Sequence, residues 1–277
     1  MEHLLKNHQP FWIMAHRGVK GANVIENTIE AGILALRSGA DIIEVDVTKT
    51  VDGIYYLFHD GQEQKLFHID QPFETLTQQE VENLTVYNGL DKPSGKRIDT
   101  LEAFLHWLPE GVIANLDRSW MYWQDESFFE VLIQSGKVEQ ILLKSPVDRN
   151  YLNALQQSKY AFNYVPLLHS QKEWEVVRGF DKINLVGAEL IVKDSQSDLL
   201  NETWLHHLTT HYPLIIANSE DLDETANLFM GLNDQLALFD SEDAWQKTLD
   251  YGVTVIQTDW PYFLHEFRQC LTKGKGK

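Results

Sequence analysis

The stretch Ile42-Ile43-Glu44-Val45-Asp46-Val47 places two acidic residues inside a run that is otherwise apolar and β-branched. Such a run predicts a buried strand. Side chains alternate along a strand, so Glu44 and Asp46 share one face while Ile43 and Val45 occupy the other. Buried carboxylates are costly without a partner, and two of them on one face suit a hard divalent cation. The stretch therefore predicts a strand that presents a metal site.

A second strand, residues 54–58, follows a strong turn signal at Asp52-Gly53. If the turn centres on that pair, antiparallel pairing places Asp46 opposite His59. We therefore expect the hairpin to bring His59 to the carboxylates. The connection is too short for a crossover between parallel strands, so residues 54–58 are predicted to be a hairpin arm.

His16 approaches the same region from an earlier strand. The apolar run 11–15 ends at His16-Arg17-Gly18, and in parallel α/β folds the ligand-binding residues gather at the carboxyl ends of strands. Two imidazoles can serve as general acid and base near neutral pH, and an arginine suits an anionic phosphate. With a metal ion, these groups favour hydrolysis of a phosphate ester.

The order of predicted elements indicates the fold. Strand-like runs lie near residues 11–15, 42–47, 54–58, 112–116, 141–144, 161–167, 186–192, 213–217 and 253–257, and helical stretches separate most of them. Without the hairpin arm, eight strands remain, the number in a TIM (β/α)8 barrel. We expect a single domain over residues 1–277, with a small insertion at about 61–96 near the barrel mouth.

Five short motifs lie in a fixed order near the amino terminus: His16-Arg17-Gly18, Glu26-Asn27-Thr28, Glu44-x-Asp46, Thr50-x-Asp52-Gly53 and His59-Asp60. Together they resemble the glycerophosphodiester phosphodiesterase family, within the phosphatidylinositol-phospholipase-C-like superfamily. Weaker similarity continues at Thr100-Leu101-Glu102 and Thr258-Asp259-Trp260-Pro261. The resemblance implies a TIM-barrel phosphodiesterase. By it, Glu44 and Asp46 are metal ligands, His16 and His59 the acid/base pair, and Arg17 a phosphate contact.

The chain departs from the family pattern in its later strands. The family usually carries a Glu-x-Lys pair, where Asp117 takes the place of the glutamate as a third ligand and Ser119 that of the lysine. Lys144 and Arg118 are candidate replacements for the missing cation, although strand alternation points Arg118 away unless the strand ends at Asp117. The family's Trp-Thr-Val-Asn segment is replaced by Ile215-Ile216-Ala217-Asn218, so we expect an altered alcohol pocket.

The resemblance implies metal-dependent hydrolysis of glycerophosphodiesters to sn-glycerol 3-phosphate and an alcohol, and we assign His16 as base and His59 as acid. Three carboxylates suit one Mg²⁺ or Ca²⁺, and Mn²⁺ is also compatible. Two alternatives stay open. The first is that the protein is a transesterase that releases a cyclic phosphate. The second is that it binds phosphodiesters without turnover.

The chain is strongly acidic, with 41 acidic and 23 basic residues and a formal net charge of −18. Such a surface disfavours nucleic acid and stable membrane association, so we expect a small-molecule phosphodiester as the partner. The single cysteine, Cys270, and the lack of a signal-like or membrane-spanning apolar run predict a cytoplasmic protein. The head group and the oligomeric state stay open.

Overall fold

A computed structural model describes residues 9–222 and 227–274. The strands in these ranges are β1 (Trp12–Ala15), β2 (Ile42–Lys49), β3 (Tyr55–Leu57), β4 (Ile113–Asp117), β5 (Ile141–Pro146), β6 (Asn163–Leu168), β7 (Asn184–Leu185), β8 (Gly187–Leu190), β9 (Leu214–Asn218) and β10 (Val255–Thr258). The α-helices are α1 (Ile29–Arg37), α2 (Glu63–Phe67), α3 (Gln78–Glu82), α4 (Leu101–Trp107), α5 (Glu126–Gln134), α6 (Arg149–Gln157), α7 (Gln171–Arg178), α8 (Glu202–His211), α9 (Asp234–Phe239), α10 (Lys247–Asp250) and α11 (Pro261–Gly274). None of these helices is long and apolar enough to span a membrane.

Eight parallel strands close into a barrel in the order β1, β2, β4, β5, β6, β8, β9 and β10, with β10 pairing back to β1. The short β7 pairs with β6 just before β8 begins. Strand β3 pairs antiparallel with β2 and stands outside the ring. The predicted TIM barrel of eight strands is therefore confirmed, as is the exclusion of the hairpin arm.

The predicted hairpin register is wrong by one residue. Val47 lies opposite Leu57, and the Phe58 backbone N–H donates to the Asp46 carbonyl at 3.1 Å, so Asp46 faces Phe58 rather than His59. The loop has three residues, closed by a bond from the Thr50 N–H to the Ile54 carbonyl at 2.9 Å. Gly53, at φ 92°, supplies the left-handed position that such a loop requires. His59 therefore lies beyond the end of β3.

The interior of the barrel is apolar below the site. Its buried side chains come from alternate positions of the staves and are Met14, Ile42, Ile113, Leu142, Val165, Val186, Leu214, Ile216 and Val255. The next inward position along each strand lies nearer the carboxyl-terminal mouth, since alternation skips one residue. Glu44, Asn115 and Gln257 occupy such positions and are almost fully buried. The site thus lies directly above this layer of packed apolar side chains, which we call the apolar floor.

The segment between β3 and α4 forms a separate small core beside the barrel mouth. It contains α2, α3 and a 3₁₀ turn at Phe73–Thr75, and Phe58 stacks on Phe73 with ring centroids 4.8 Å apart. Lys65 of α2 reaches Glu26 in the loop after β1, at 2.7 Å. This contact joins α2 to the first barrel loop.

The close approach of β8 to β9 at Gly187 yields a test of the fold. A Cβ atom at Gly187 would lie 1.7 Å from the Leu214 carbonyl oxygen. We expect Gly187→Ala to lower the free energy of unfolding by about 3 kcal/mol or to prevent folding, because the backbone must move. Urea denaturation followed by circular dichroism measures the change.

Gly89→Ala is the matched control, because a Cβ at Gly89 meets nothing within 4 Å. We expect it to change the free energy of unfolding by less than about 0.5 kcal/mol. Equal stabilities of the two variants would contradict the assigned packing of β8 on β9.

Candidate active site

Three carboxylates meet at the mouth of the barrel. Glu44 and Asp46 lie on β2, and Asp117 ends the neighbouring β4, directly opposite Asp46 in the strand register. One oxygen atom from each lies within 4.8 Å of those of the other two. The structure therefore brings together the three predicted metal ligands.

Glu44 is the most deeply buried of the three, with none of its surface exposed. Burial and the neighbouring Asp46 raise the pKa of Glu44 well above its ordinary value. Its Oε1 atom has no hydrogen-bond partner within the described chain. A divalent cation fits this group of residues, since it would supply both positive charge and a partner for that oxygen.

The loop after β1 holds the two carboxylates of β2 in place. The Arg17 backbone N–H donates to Glu44 Oε2 at 2.8 Å. Asn27 Nδ2 donates to Asp46 Oδ2 at 2.9 Å, and the Asp46 N–H donates to Asn27 Oδ1 at 2.9 Å. Both loop residues have φ near 57°, which is uncommon for arginine and more readily adopted by asparagine. The loop backbone is therefore shaped around the acidic residues.

The Arg17 guanidinium lies between two carboxylates. Its Nε atom is 3.0 Å from Asp46 Oδ2, and Nη1 donates to Glu26 Oε1 at 2.9 Å. Burial opposes ionisation of Glu26, but Arg17 and Lys65 outweigh it and lower the pKa of Glu26 to about 2. Glu26 thus fixes the guanidinium beside the acidic group and links it to the insertion.

Lys144, of the two candidate replacement cations, lies against the acidic group. It ends the inward face of β5 and is 1 % exposed. Its Nζ atom is 2.6 Å from Asp117 Oδ2 and 3.2 Å from Glu189 Oε2. Arg118 instead pairs with Asp60, its Nη2 donating to Oδ2 at 2.7 Å. The strand does end at Asp117, and Arg118 follows it in the left-handed region.

Ser119, at the position of the family's lysine, has a local structural contact. It is fully buried, and its hydroxyl donates to the Leu116 carbonyl at 2.9 Å. The Trp123 indole N–H donates to the same hydroxyl oxygen at 3.3 Å. These bonds hold Ser119 within the turn that follows β4.

His16 lies just past the end of β1 and is bonded to Asp259. Its Nδ1 atom is 2.9 Å from Asp259 Oδ1, which also accepts a bond from Lys20 Nζ at 3.0 Å. Burial lowers the pKa of His16 although Asp259 opposes the shift. A neutral imidazole with its proton on Nδ1, toward the carboxylate, leaves Nε2 as an acceptor.

His59 lies in the turn after β3, with a quarter of its side chain exposed. Its Nδ1 atom is 2.6 Å from the Asp60 carbonyl oxygen. Phe58 bonds to Asp46 on β2, and Asp60 pairs with Arg118 at the end of β4. The turn is therefore attached to both strands that carry the acidic group.

Several polar residues of the site were given no role by the sequence. Asn27 and Asp259 lie within the quoted motifs, but nothing local indicated what they contact. Glu189 and Gln257 each interrupt an apolar run and are 1 % and 2 % exposed. The pattern that singled out Glu44 could have found both.

The fold and the site define a TIM-barrel protein with a candidate metal centre at its carboxyl-terminal mouth. Residues 16–142 match the Glycerophosphoryl diester phosphodiesterase family, so this part of the chain is similar to that family. A glycerophosphodiester phosphodiesterase from Caldanaerobacter subterraneus is 37% identical over 92 residues, which are 32% of this chain and 37% of that protein. The matched regions span 39% and 37% of the lengths of two curated relatives.

Solved structures share the fold along nearly the whole chain. A glycerophosphoryl diester phosphodiesterase from Parabacteroides distasonis superposes with a TM-score of 0.75 at 18% identity, covering 94% of this chain and 87% of that one. A phosphodiesterase from Oleispira antarctica, solved with the product sn-glycerol-3-phosphate, gives a TM-score of 0.65 at 17% identity over 92% and 95% of the two chains.

The ion pair between Glu26 and Arg17 predicts a pH-dependent stability. The pKa of Glu26 is about 2 in the folded protein, below the ordinary value, so the pair stabilises the fold above pH 4.5 and less as pH falls toward 2. We expect Glu26→Gln to lower the free energy of unfolding by up to about 3 kcal/mol at pH 7 and by progressively less below pH 4. Urea denaturation of both proteins in EDTA at pH 7 and pH 3 measures this.

Glu30→Gln serves as the control, because Glu30 lies on the exposed side of α1 and pairs only with Lys96 among the described residues. Its effect should be small at both pH values. A Glu26→Gln cost that does not change with pH would contradict the assigned ion pair.

Proposed function

We propose that this protein hydrolyses glycerophosphodiesters to sn-glycerol 3-phosphate and an alcohol, within one TIM-barrel domain that carries an insertion at 61–96. The observation that carries the proposal is the group of carboxylates formed by Glu44, Asp46 and Asp117 at the barrel mouth. His16 follows β1 at this mouth, and the turn that holds His59 is bonded to β2 and to the end of β4. The match of residues 16–142 to the Glycerophosphoryl diester phosphodiesterase family supports the same reaction class. The product bound to the Oleispira antarctica enzyme supports a small-molecule phosphodiester as substrate.

Glu44, Asp46 and Asp117 would hold one divalent cation, Mg²⁺ or Ca²⁺, and Mn²⁺ suits the same oxygen ligands. When bound, the cation supplies positive charge that polarises a phosphate oxygen. Arg17 and Lys144 are the cations that contact the acidic group, at Asp46 and Asp117 respectively. We assign both as phosphate contacts, with Lys144 replacing the lysine that the family carries at position 119.

His16 is the general base in this proposal. Its hydrogen bond to Asp259 orients the ring and directs the unprotonated Nε2 away from that carboxylate. Nε2 can therefore accept the proton of the nucleophile, which is water or a neighbouring hydroxyl of the substrate. His59 is the general acid. Its Nδ1 bond to the Asp60 carbonyl leaves Nε2 to protonate the departing alkoxide.

Phosphorus NMR of the protein with mixed glycerophosphodiesters tests the reaction. We expect glycerol 3-phosphate to appear with Mg²⁺ or Ca²⁺ and not in EDTA. His59→Ala should lower kcat about 10²- to 10⁴-fold, because the leaving alkoxide loses its proton donor. His206→Ala is the control, since His206 is exposed on α8.

The products also separate the alternatives. A kcat of His59→Ala equal to that of the wild type would contradict the assignment of His59 as general acid. A cyclic phosphate that persists as final product would favour the transesterase. If no substrate is consumed with any of the metals, either the altered pocket serves a different phosphodiester or the protein binds phosphodiesters without turnover.

Replacement of Asp259 tests the orientation of His16. The Asp259 carboxylate raises the pKa of His16 against the effect of burial, so Asp259→Asn should shift the acidic limb of the kcat/KM profile to lower pH. We also expect kcat to fall at least about 10²-fold, because the asparagine no longer fixes the ring and its tautomer.

Asp243→Asn is the control for Asp259→Asn, since Asp243 is exposed and pairs with Lys247. An unchanged pH profile for Asp259→Asn would show that Asp259 does not act through His16.

A further inference from the structure

Three side chains at the ends of β9 and β10 carry oxygen atoms that lack a hydrogen-bond partner among the described residues. The atoms are Asn218 Oδ1, Glu220 Oε2 and Gln257 Oε1. Their residues are 6 %, 3 % and 2 % exposed. A buried polar atom without a partner costs about 1–3 kcal/mol. Three such atoms at one side of the mouth therefore indicate a place where something else donates or accepts hydrogen bonds.

These side chains face the interior of the barrel. Ile216 and Val255, two residues earlier on the same strands, belong to the apolar floor, and strand alternation places Asn218 and Gln257 on that inward face. Gln257 Nε2 donates to Glu220 Oε1 at 2.8 Å, which holds Glu220 on the same side. We refer to Asn218, Glu220 and Gln257 as the β9–β10 group.

A continuous line of contacts joins the β9–β10 group to the acidic centre. Asn218 Nδ2 donates to Glu189 Oε1 at 2.7 Å. Glu189 Oε2 accepts a bond from Lys144 Nζ at 3.2 Å, and Lys144 lies 2.6 Å from Asp117. The group is therefore part of the same mouth as the candidate metal centre, on the side away from β4.

The hydrogen-bonding character of the group is that of a neutral site. The amide nitrogens of Asn218 and Gln257 each donate one hydrogen bond within the chain, whereas their oxygens are acceptors without a partner among the described residues. Glu220 has the Gln257 amide as its side-chain partner. Burial raises its pKa well above the ordinary value. A neutral carboxyl can donate as well as accept.

We propose that Asn218, Glu220 and Gln257 bind adjacent hydroxyl groups of the substrate, that is, a vicinal diol. Each hydroxyl is both a donor and an acceptor, which matches two amide oxygens beside a carboxyl group. A quaternary ammonium has no N–H to offer and is typically held by aromatic faces, which none of these three side chains provides. The inference rests on the proposed function, because the diol belongs to a glycerophosphodiester.

The diol has two sources, the glycerol moiety of every glycerophosphodiester or a polyol leaving group. Binding measurements test the first source, the glycerol moiety, independently of turnover. We would measure the affinity of sn-glycerol 3-phosphate and of propyl phosphate, which lacks both hydroxyls, by calorimetry. The wild-type protein should bind glycerol 3-phosphate at least about tenfold more tightly, because unpaired buried oxygens disfavour the deoxy ligand.

Gln257→Leu should weaken the binding of glycerol 3-phosphate about tenfold and leave the binding of propyl phosphate unchanged. Glu220→Gln is a second variant that keeps the shape of the side chain, in case loss of the Gln257 amide impairs folding. Gln140→Leu is the matched control. Gln140 is also buried, but its amide bonds to the Pro109 and Val112 carbonyls just before β4, at the other end of that strand. It should lower stability without changing the preference between the two ligands.

Kinetics test the second source. We would compare kcat/KM for glycerophosphoglycerol and for its analogue with a propanol leaving group, in wild type and in Gln257→Leu. A loss confined to glycerophosphoglycerol assigns the group to the leaving alcohol. An equal loss for both diesters, together with a loss of binding confined to glycerol 3-phosphate in calorimetry, assigns it to the common glycerol.

An equal effect of Gln257→Leu on glycerol 3-phosphate and propyl phosphate, with no difference between the two diesters, would overturn the diol site. Failure of the wild type to hydrolyse any diester, with the preference for glycerol 3-phosphate intact, would overturn the proposed reaction and leave the diol site standing.

Discussion

Repulsion among buried carboxylates is the constraint on which the site depends. Strand register fixes Asp46 directly opposite Asp117, and Glu44 lies one inward position below on the same strand. To separate these carboxylates, β2 would have to shift by one residue against β4. That shift would turn the apolar residues of β2 into the mouth. Arg17 and Lys144 offset part of the charge, but each is shared with another acid, Glu26 or Glu189. A divalent cation at the centre would complete the balance, because buried charges persist only when they are compensated.

The surrounding loops can be understood as supports for that arrangement. The loop after β1 holds Arg17 and Asn27 in the left-handed region, and these two residues donate backbone and amide hydrogen bonds to Glu44 and Asp46. Helix α2 reaches the same loop through Lys65. A chain with a formal net charge of −18 repels an anionic substrate at long range. In the proposed function, positive charge at Arg17, Lys144 and a bound cation would therefore attract the phosphate near the mouth.

The sequence predicted those features that depend on local periodicity. The eight staves, the hairpin and the shared face of Glu44 and Asp46 follow from strand alternation and turn chemistry. The predicted register of the hairpin is wrong by one residue because the Thr50 hydroxyl and backbone close a loop of three residues. The Asp52-Gly53 pair alone does not determine the length of this loop. The partners of Lys144 and the bond between His16 and Asp259 depend on barrel closure, which joins residues 243 positions apart. Glu189 and Gln257 were visible as polar residues in apolar runs, but only the closed barrel shows what they face.

The most direct test of the buried acidic centre is the free energy of unfolding as a function of Mg²⁺, Ca²⁺ or Mn²⁺ concentration. We expect stability of the wild type to rise with metal concentration, approaching about 1.4 kcal/mol per tenfold increase once the concentration exceeds the Kd. Glu44→Gln should lose this dependence, and in EDTA it should be at least as stable as the wild type, because a repulsive buried charge has been removed. A wild type whose stability does not respond to any of the three ions would contradict the account.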